Sequence, residues 1–284
     1  MRLTDTARTS TLLLICLTTL MLPSIQADTL SADSPQRLIS TDAGATEILI
    51  ALGVADRLVA VDDSSQTFID HQLPRLGYHR ALAAEGLMAL SPDLIIGSDT
   101  MGPPHVVDAL SRARIPLLQL NTPLTVGELA SNITTLSAAM GVQESKDLLQ
   151  ELENIQQQLQ NDTNNKPLSA AFLLRAEGGK LRMAGSDTAG HAFVELIGAS
   201  NLADYQGYRS LSPEAVLEMQ PDLLLFADTQ GGGAAALLAD MPVLRFSSAH
   251  EKGYLLLVDP NALVGGISLA ALDEALRIKN ILQP

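Results

Sequence analysis

The 284-residue chain has no tryptophan, a single cysteine and only 3% aromatic residues. The cysteine, Cys16, follows Leu14 and Ile15, where a lipid-modified cysteine needs small residues, so lipid anchoring there is not expected. Outside its apolar N-terminal surroundings there is no thiol at all, which excludes disulfides and thiolate metal centres. Basic residues are scarce too: 18 Lys and Arg face 32 Asp and Glu, a formal charge of −14. Such a surface repels phosphate backbones and anionic headgroups, which argues against nucleic-acid and peripheral-membrane roles. The long apolar run is confined to Thr11–Leu22, short for a bilayer span, with Arg2 and Arg8 before it and Pro23, Ser24 and Ala27 after it. That order is the layout of a secretory signal peptide, so residues 1–27 are expected to leave on export. Loss of Arg2, Arg8 and Asp5 with the signal leaves a mature charge of −15.

Catalytic signatures are also missing. The sequence contains no G-x-S-x-G elbow, no phosphate-binding P-loop and no G-x-G-x-x-G, and Gly231-Gly232-Gly233 reads as a turn into a helix. Its five histidines, His71, His79, His105, His191 and His250, form no H-E-x-x-H or other close pair. A binding role is expected rather than an enzymatic one.

What is present is an alternation of apolar strands and helices. Strands are predicted at 37–40, 58–61, 94–96 and 116–120, with helices at 45–52, 85–90 and 106–113 between them. From Val126 to about Leu159 strand signals vanish, and Leu148, Leu152, Ile155 and Leu159 recur at helical spacing, predicting one long amphipathic helix ended by Asn161–Pro167. The alternation then resumes, with strands at 170–174, 223–226 and 254–258, a turn at 177–179, and helices at 192–197 and 269–281. Continuous apolar strands alternating with helices indicate parallel sheets covered by helices. The expected fold is therefore α/β: two Rossmann-like lobes with parallel sheets joined by a long helix. The boundaries are a signal peptide (1–27), an N-terminal lobe (35–122), a helical linker (123–165) and a C-terminal lobe (166–284), with a ligand cleft between the lobes.

The two halves echo each other. Gly77-Tyr78, Glu85 and Pro92-Asp93-Leu94 in the first are matched by Gly207-Tyr208, Glu214 and Pro221-Asp222-Leu223 in the second. Each glutamate precedes its proline by seven residues, and an apolar strand follows each Pro-Asp-Leu. Pro-Asp alone is a common turn, but the ordered set points to two similar units.

These residues resemble the periplasmic substrate-binding proteins of haem-uptake ABC transporters, a class related to cobalamin and ferric-siderophore binders. The general part of the likeness is Thr46-Glu47-Ile48 with Ala51-Leu52-Gly53, the paired Pro-Asp-Leu strands and the joining helix. The haem-like part is Leu76-Gly77-Tyr78-His79-Arg80 and the segments after it, with Ala184-Gly185, Thr188-Ala189 and Gly207-Tyr208-Arg209 in the second lobe. The resemblance implies a periplasmic, monomeric protein that captures haem b and passes it to an inner-membrane permease driven by an ATPase. It also implies that Tyr78 is the axial iron ligand. The chemistry agrees: ferric iron is a hard acid, a tyrosinate can ligate haem, and a phenol that ionises near pH 10 needs a partner such as Arg80 to stabilise its anion. Arg80 could alternatively pair a propionate.

Tyr208 and Arg209 are candidates for the far wall of the site. Arg175 stands where some members place an opposing histidine, so five-coordinate iron is expected, with Arg175 free to meet a propionate. Gly265-Gly266 replaces a Gly-Pro-Arg common in the class. Permease docking is expected to use an exposed acid on each lobe, with Glu47 the candidate on the first and His191 or Glu195 near the matching place on the second. Cobalamin or a ferric siderophore is the alternative ligand, disfavoured by the shortage of aromatic rings.

Overall fold

The computed structural model describes residues 34–69, 73–143, 145–161, 167–175 and 180–282. The expected signal peptide, His71, the turn at 177–179 and most of the break at 161–167 lie outside them. In chain order the elements are β1 (Leu38–Ser40), α1 (Ala43–Ala51), β2 (Leu58–Val61), α2 (Ala84–Ala89), β3 (Leu94–Ser98), α3 (Pro104–Arg112) and β4 (Leu117–Leu120). Then come α4 (Val126–Met140), α5 (Ser145–Gln160), β5 (Ser169–Arg175), β6 (Leu181–Ala184), α6 (Ala189–Leu196), β7 (Ser200–Asn201) and β8 (Tyr208–Ser210). The chain finishes with α7 (Pro213–Met219), β9 (Leu223–Asp228), α8 (Gly233–Asp240), α9 (Ser248–Glu251), β10 (Leu255–Val258) and α10 (Leu269–Leu282).

The first sheet is parallel throughout, in the order β2-β1-β3-β4. The second is mixed, in the order β10-β9-β5-β6-β8 with β7 also on β5, and β6 runs antiparallel to both β5 and β8. The α/β architecture is thus as the alternation indicates, but the second sheet departs from the expected all-parallel form. Its antiparallel part comes from a return of the chain through β6.

The helical region is two helices rather than one. Gly141 takes the left-handed conformation (φ 68°), its N–H and that of Val142 bond back to the carbonyls of Ala138 and Ser137, and the chain turns. Helix α4 starts at a capping box in which Thr125 and Glu128 exchange side-chain and backbone bonds.

The central strands are buried on both faces, and successive residues face different clusters, which sorts the core into three parts. In β1 Leu38 joins a central cluster while Ile39 faces a first-lobe cluster with Ala60, Leu87, Ile95 and Leu110. In β5 and β9 Phe172 and Leu225 face the central cluster, and Leu173 and Phe226 a second-lobe cluster. The central cluster takes residues from both sheets and from α1, α4, α5, α6 and α10, so the two lobes share one buried apolar layer.

The Pro-Asp-Leu echo also has a structural meaning. Asp93 accepts the backbone N–H groups of Gln36 and Arg37 (both 2.9 Å), and Asp222 accepts from the Ser169 N–H (3.2 Å) and hydroxyl (2.7 Å). Each aspartate fixes the start of the neighbouring strand, β1 in one lobe and β5 in the other.

Candidate ligand site at the carboxyl ends of the first sheet

In a parallel sheet ordered β2-β1-β3-β4 the chain leaves β1 toward one side and β3 toward the other, opening a crevice at their carboxyl ends. The polar residues of the first lobe gather there. Ser40, Thr41, Asp42, Thr46, Asp62, Ser65, His79 and Ser98 are all buried. The Thr46 hydroxyl lies 2.7 Å from Ser40 Oγ, 2.9 Å from the Asp42 carbonyl and 2.9 Å from Ser65 Oγ, and Ser65 in turn donates to Asp62. Asp42 caps α1 by accepting the Ala45 N–H (2.8 Å). Burial pushes the Asp42 carboxyl above its usual range, with the Asp62 charge adding to the rise. Burial likewise pushes Asp62 upward, but the His79 imidazole beside it and hydrogen bonds from Ser64 and Ser65 outweigh it and hold that carboxyl below its usual range.

The Tyr78 turn is built on this layer. Leu76 N–H donates to the Val61 carbonyl (3.1 Å), and Arg75 bridges Val61 in parallel, so residues 74–77 extend the edge of β2. Gly77 has φ 81° with open space where a Cβ would stand, so the backbone path rather than crowding demands glycine. Its carbonyl accepts the Asp63 N–H (3.0 Å), and Tyr78 to Ala81 close a turn through a 2.7 Å bond. Gly102 stitches the far side, donating to the His79 carbonyl and accepting from the Leu82 N–H. On this fixed turn Tyr78 is 52% exposed, so it is not a packing tyrosine. His79 beside it is buried, its Nδ1 3.5 Å from Asp62 Oδ2, and the two rings meet at 4.3 Å between centroids. Arg80 is exposed and directs Nε at His79 Nε2 (3.4 Å).

The second lobe approaches the same edge through residues 264–268. A Cβ on Gly265 would lie 3.0 Å from Asp42 Oδ2, and one on Gly266 (φ 102°) only 2.2 Å from the Pro123 carbonyl, which accepts the Ile267 N–H at 2.7 Å. This close approach accounts for two glycines where the class commonly has Gly-Pro-Arg, since a side chain at 266 would strike backbone. The crevice under this junction, lined by Asp42, Ser98, Pro123 and Gly265, has about 10 Å³ of room, enough for one water and no organic ligand.

Other expected site residues are engaged elsewhere. Arg175 is not free for a propionate: it is buried, binds both Asp228 oxygens (3.2 and 3.3 Å) and the Gly231 carbonyl (3.2 Å), and also pairs with Asp240. Glu47 is not an exposed docking acid. It is buried against the second lobe, where its carboxylate accepts the Ala270 N–H (2.8 Å) in the first turn of α10, and burial pushes its pKa up to about 7. Tyr208 is half-buried in β8; burial pushes its phenol upward despite hydrogen bonds from the Gly190 N–H and Thr188. Arg209 is exposed and stacks on the Tyr205 ring at 4.3 Å. His191 bonds Asn201 and pairs with Glu195.

Sequence reasoning passed over two features. Asp62, the acid behind His79, sits in Asp62-Asp63-Ser64-Ser65, whose acid-then-hydroxyl order is the signal of a side chain capping its own turn. Glu85 and Glu214, noted only as an echo, are both exposed and both lie in the first turn of their helices, α2 and α7. Those helices lead into β3 and β9, so their first turns stand at the carboxyl-end rim of each sheet.

Two carboxyl-end rims, a shared core and a fixed polar turn define a two-lobed α/β binding protein. Residues 38–262 match the periplasmic binding protein family, and the chain belongs to that family. The periplasmic haem-binding protein HutB of Vibrio cholerae is 36% identical, with a TM-score of 0.79 over 88% of this chain and 99% of that one. A periplasmic haem-binding protein from Pseudomonas aeruginosa is 33% identical, with a TM-score of 0.80 over 87% of this chain and 92% of that one. A vitamin B12-binding protein of Vibrio cholerae is 28% identical over 223 residues, 76% of this chain and 78% of the relative. Members of this family are periplasmic and deliver their ligands to ABC transporter permeases; among the described residues no helix is long and apolar enough to cross a membrane.

Proposed function

We propose that this protein is exported by its first 27 residues, captures haem b as a monomer in the periplasm and delivers it to an ABC permease with its ATPase. The observation that carries the ligand assignment is Tyr78, half exposed on a turn pinned on both sides at the carboxyl edge of the first sheet. A rigid, solvent-facing phenol with a guanidinium two residues on suits a ferric porphyrin. On ligation the phenolic oxygen forms the bond to iron and its proton passes to solvent, as metal binding to a protonated ligand requires. Two haem-binding relatives above 30% identity support the choice.

Cobalamin is the second reading, favoured by the relatives named for vitamin B12. Against it stands a chain with no tryptophan and 3% aromatic residues, which offers few rings to lie along a corrin. Docking falls to Glu85 and Glu214, the exposed acids at equivalent places on the two rims, rather than to Glu47. Arg80 supports the phenolate, and Arg209 with Tyr208 remains a candidate for the second-lobe wall.

Titration of the mature protein with ferric haem, cobalamin and a ferric siderophore tests the proposal. Haem is expected to bind with a high-spin tyrosinate spectrum that Tyr78→Ala abolishes. Preferential cobalamin binding, or an unchanged haem spectrum in that variant, overturns it.

A further inference from the structure

We propose that His79 is the positioning residue of the haem site, carrying the Tyr78 ring and holding Arg80 beside it while Asp62 fixes its tautomer. The inference rests on Tyr78 as the iron ligand and adds what sets that ligand's surroundings.

Of the three side chains that follow Gly77, only His79 turns inward: Tyr78 and Arg80 are exposed, and His79 is 8% exposed. It turns toward a fixed anion. The Asp62 side chain is wholly buried, accepts from Ser64 and Ser65 and lies 3.5 Å from His79 Nδ1. Nδ1 is shielded from solvent and makes no hydrogen bond, so the Asp62 carboxylate acts on it through its charge. A proton on Nδ1 facing that carboxylate is the favourable tautomer; the reverse would set a lone pair against an anion. With the proton there, Nε2 presents a lone pair, and Arg80 Nε stands 3.4 Å from it. The reverse tautomer would face an N–H with another N–H and push Arg80 away. Asp62 therefore sets the tautomer, and the tautomer sets Arg80.

The other half of the argument is the ring contact. Tyr78 rests on His79 at 4.3 Å between centroids with planes tilted by 53°. Tyr78 and Arg80 thus share one support, and a guanidinium has five N–H donors. Arg80 can keep Nε on His79 and still offer a terminal N–H to a phenolate that forms next to it. Ligand orientation by an imidazole that is itself held by a buried carboxylate is the arrangement outer groups use to tune metal ligands.

Haem titrations and absorption spectra of His79→Leu, His79→Asn and His79→Gln test this, with thermal melts to establish that each variant folds. Leucine removes both polar contacts. The asparagine amide reaches only the Nδ1 position, and the glutamine oxygen reaches the Nε2 position that Arg80 needs. Leucine and asparagine are expected to weaken haem binding by about 10–100-fold and to diminish the tyrosinate-to-iron band. Glutamine is expected to restore the band and most of the affinity. Wild-type spectra in all three variants, or a glutamine variant that falls as far as leucine, would overturn the role of His79. If wild-type protein shows no tyrosinate band, or Tyr78→Phe keeps it, the iron-ligand reading itself falls and His79 with it.

Discussion

A guanidinium taken out of water is tolerated only where its charge is matched, and the same holds for the carboxylates that match it. Arg175 closes β5 with a side chain 9% exposed, against an Asp228 side chain 2% exposed and an Asp240 side chain 49% exposed. Asp228 also accepts the N–H groups of Gln230 and Gly233, so it orders the glycine turn that leads into α8. Removing the arginine leaves Asp228 as an unmatched buried anion, a loss of about 3–5 kcal/mol. Arg175→Met is therefore expected to lower the denaturant midpoint strongly while leaving haem affinity unchanged, and Asp228→Asn in the same chain to recover part of the loss. A haem titration that weakens in step with the midpoint would return Arg175 to the ligand site. At this same scale the exposed turn at Tyr78 is legible in sequence because its signal is local: glycine, tyrosine and arginine within four positions. The partners of Arg175 were not, since Asp228 and Asp240 lie 53 and 65 residues away.

Helix α10 receives part of its cap from the other lobe. Ser268 accepts the Ala271 N–H (3.2 Å), and Glu47 on α1 accepts the Ala270 N–H (2.8 Å), a carboxylate at the positive end of a helix dipole. Burial still raises the Glu47 pKa to about 7 from an ordinary 4.5. The folded protein therefore holds this proton where the unfolded chain has lost it. The contribution is fully present below about pH 4.5 and is lost as pH rises through 7, a swing of roughly 3 kcal/mol. Glu47→Gln keeps an oxygen for Ala270 and carries no charge. Its unfolding free energy, measured by denaturant titration from pH 5 to 8, is expected to lack that fall and to exceed the wild type at pH 8. Parallel pH profiles would show that Glu47 is not the group responsible. Elements were unevenly legible. Strands such as Leu223–Asp228 read directly because they are buried on both faces, whereas β6 to β8 were missed because they are short, and Leu181-Arg182-Met183-Ala184 has only one polar residue to mark alternation. The break at Gly141 is present in the sequence as a glycine after an apolar turn, but the absence of any strand signal from Val126 to Leu159 lets the leucine stripe of α5 pass for one continuous helix. The Glu47–Ala270 contact spans 223 positions, and no local pattern announces it.

The whole molecule couples its lobes through a shared apolar layer, the Glu47 cap and the close approach of Gly265–Gly266 to Asp42 and Pro123. A chain tied in three places opens less readily than one joined by extended linkers, so the force that frees a ligand is expected to come from the permease. That force needs a grip on both lobes at once. On the proposed docking, Glu85 and Glu214 would supply matching handles, because each precedes its Pro-Asp by the same spacing and each stands exposed in a first helical turn at its sheet's carboxyl rim. Basic residues on the permease are their natural partners, and rim charges of this kind govern docking more than they govern the captured ligand. Reversing both, Glu85→Lys with Glu214→Lys, is expected to leave haem titrations as in the wild type and to cut haem-stimulated ATPase activity of the reconstituted transporter. The two lost attractions and the new repulsion together weaken docking by about tenfold, equivalent to about 1.4 kcal/mol. Each single reversal should fall between wild type and the pair, since each lobe would keep or lose its own handle. Full stimulation by the double variant at subsaturating concentration would place the docking surface elsewhere on the molecule.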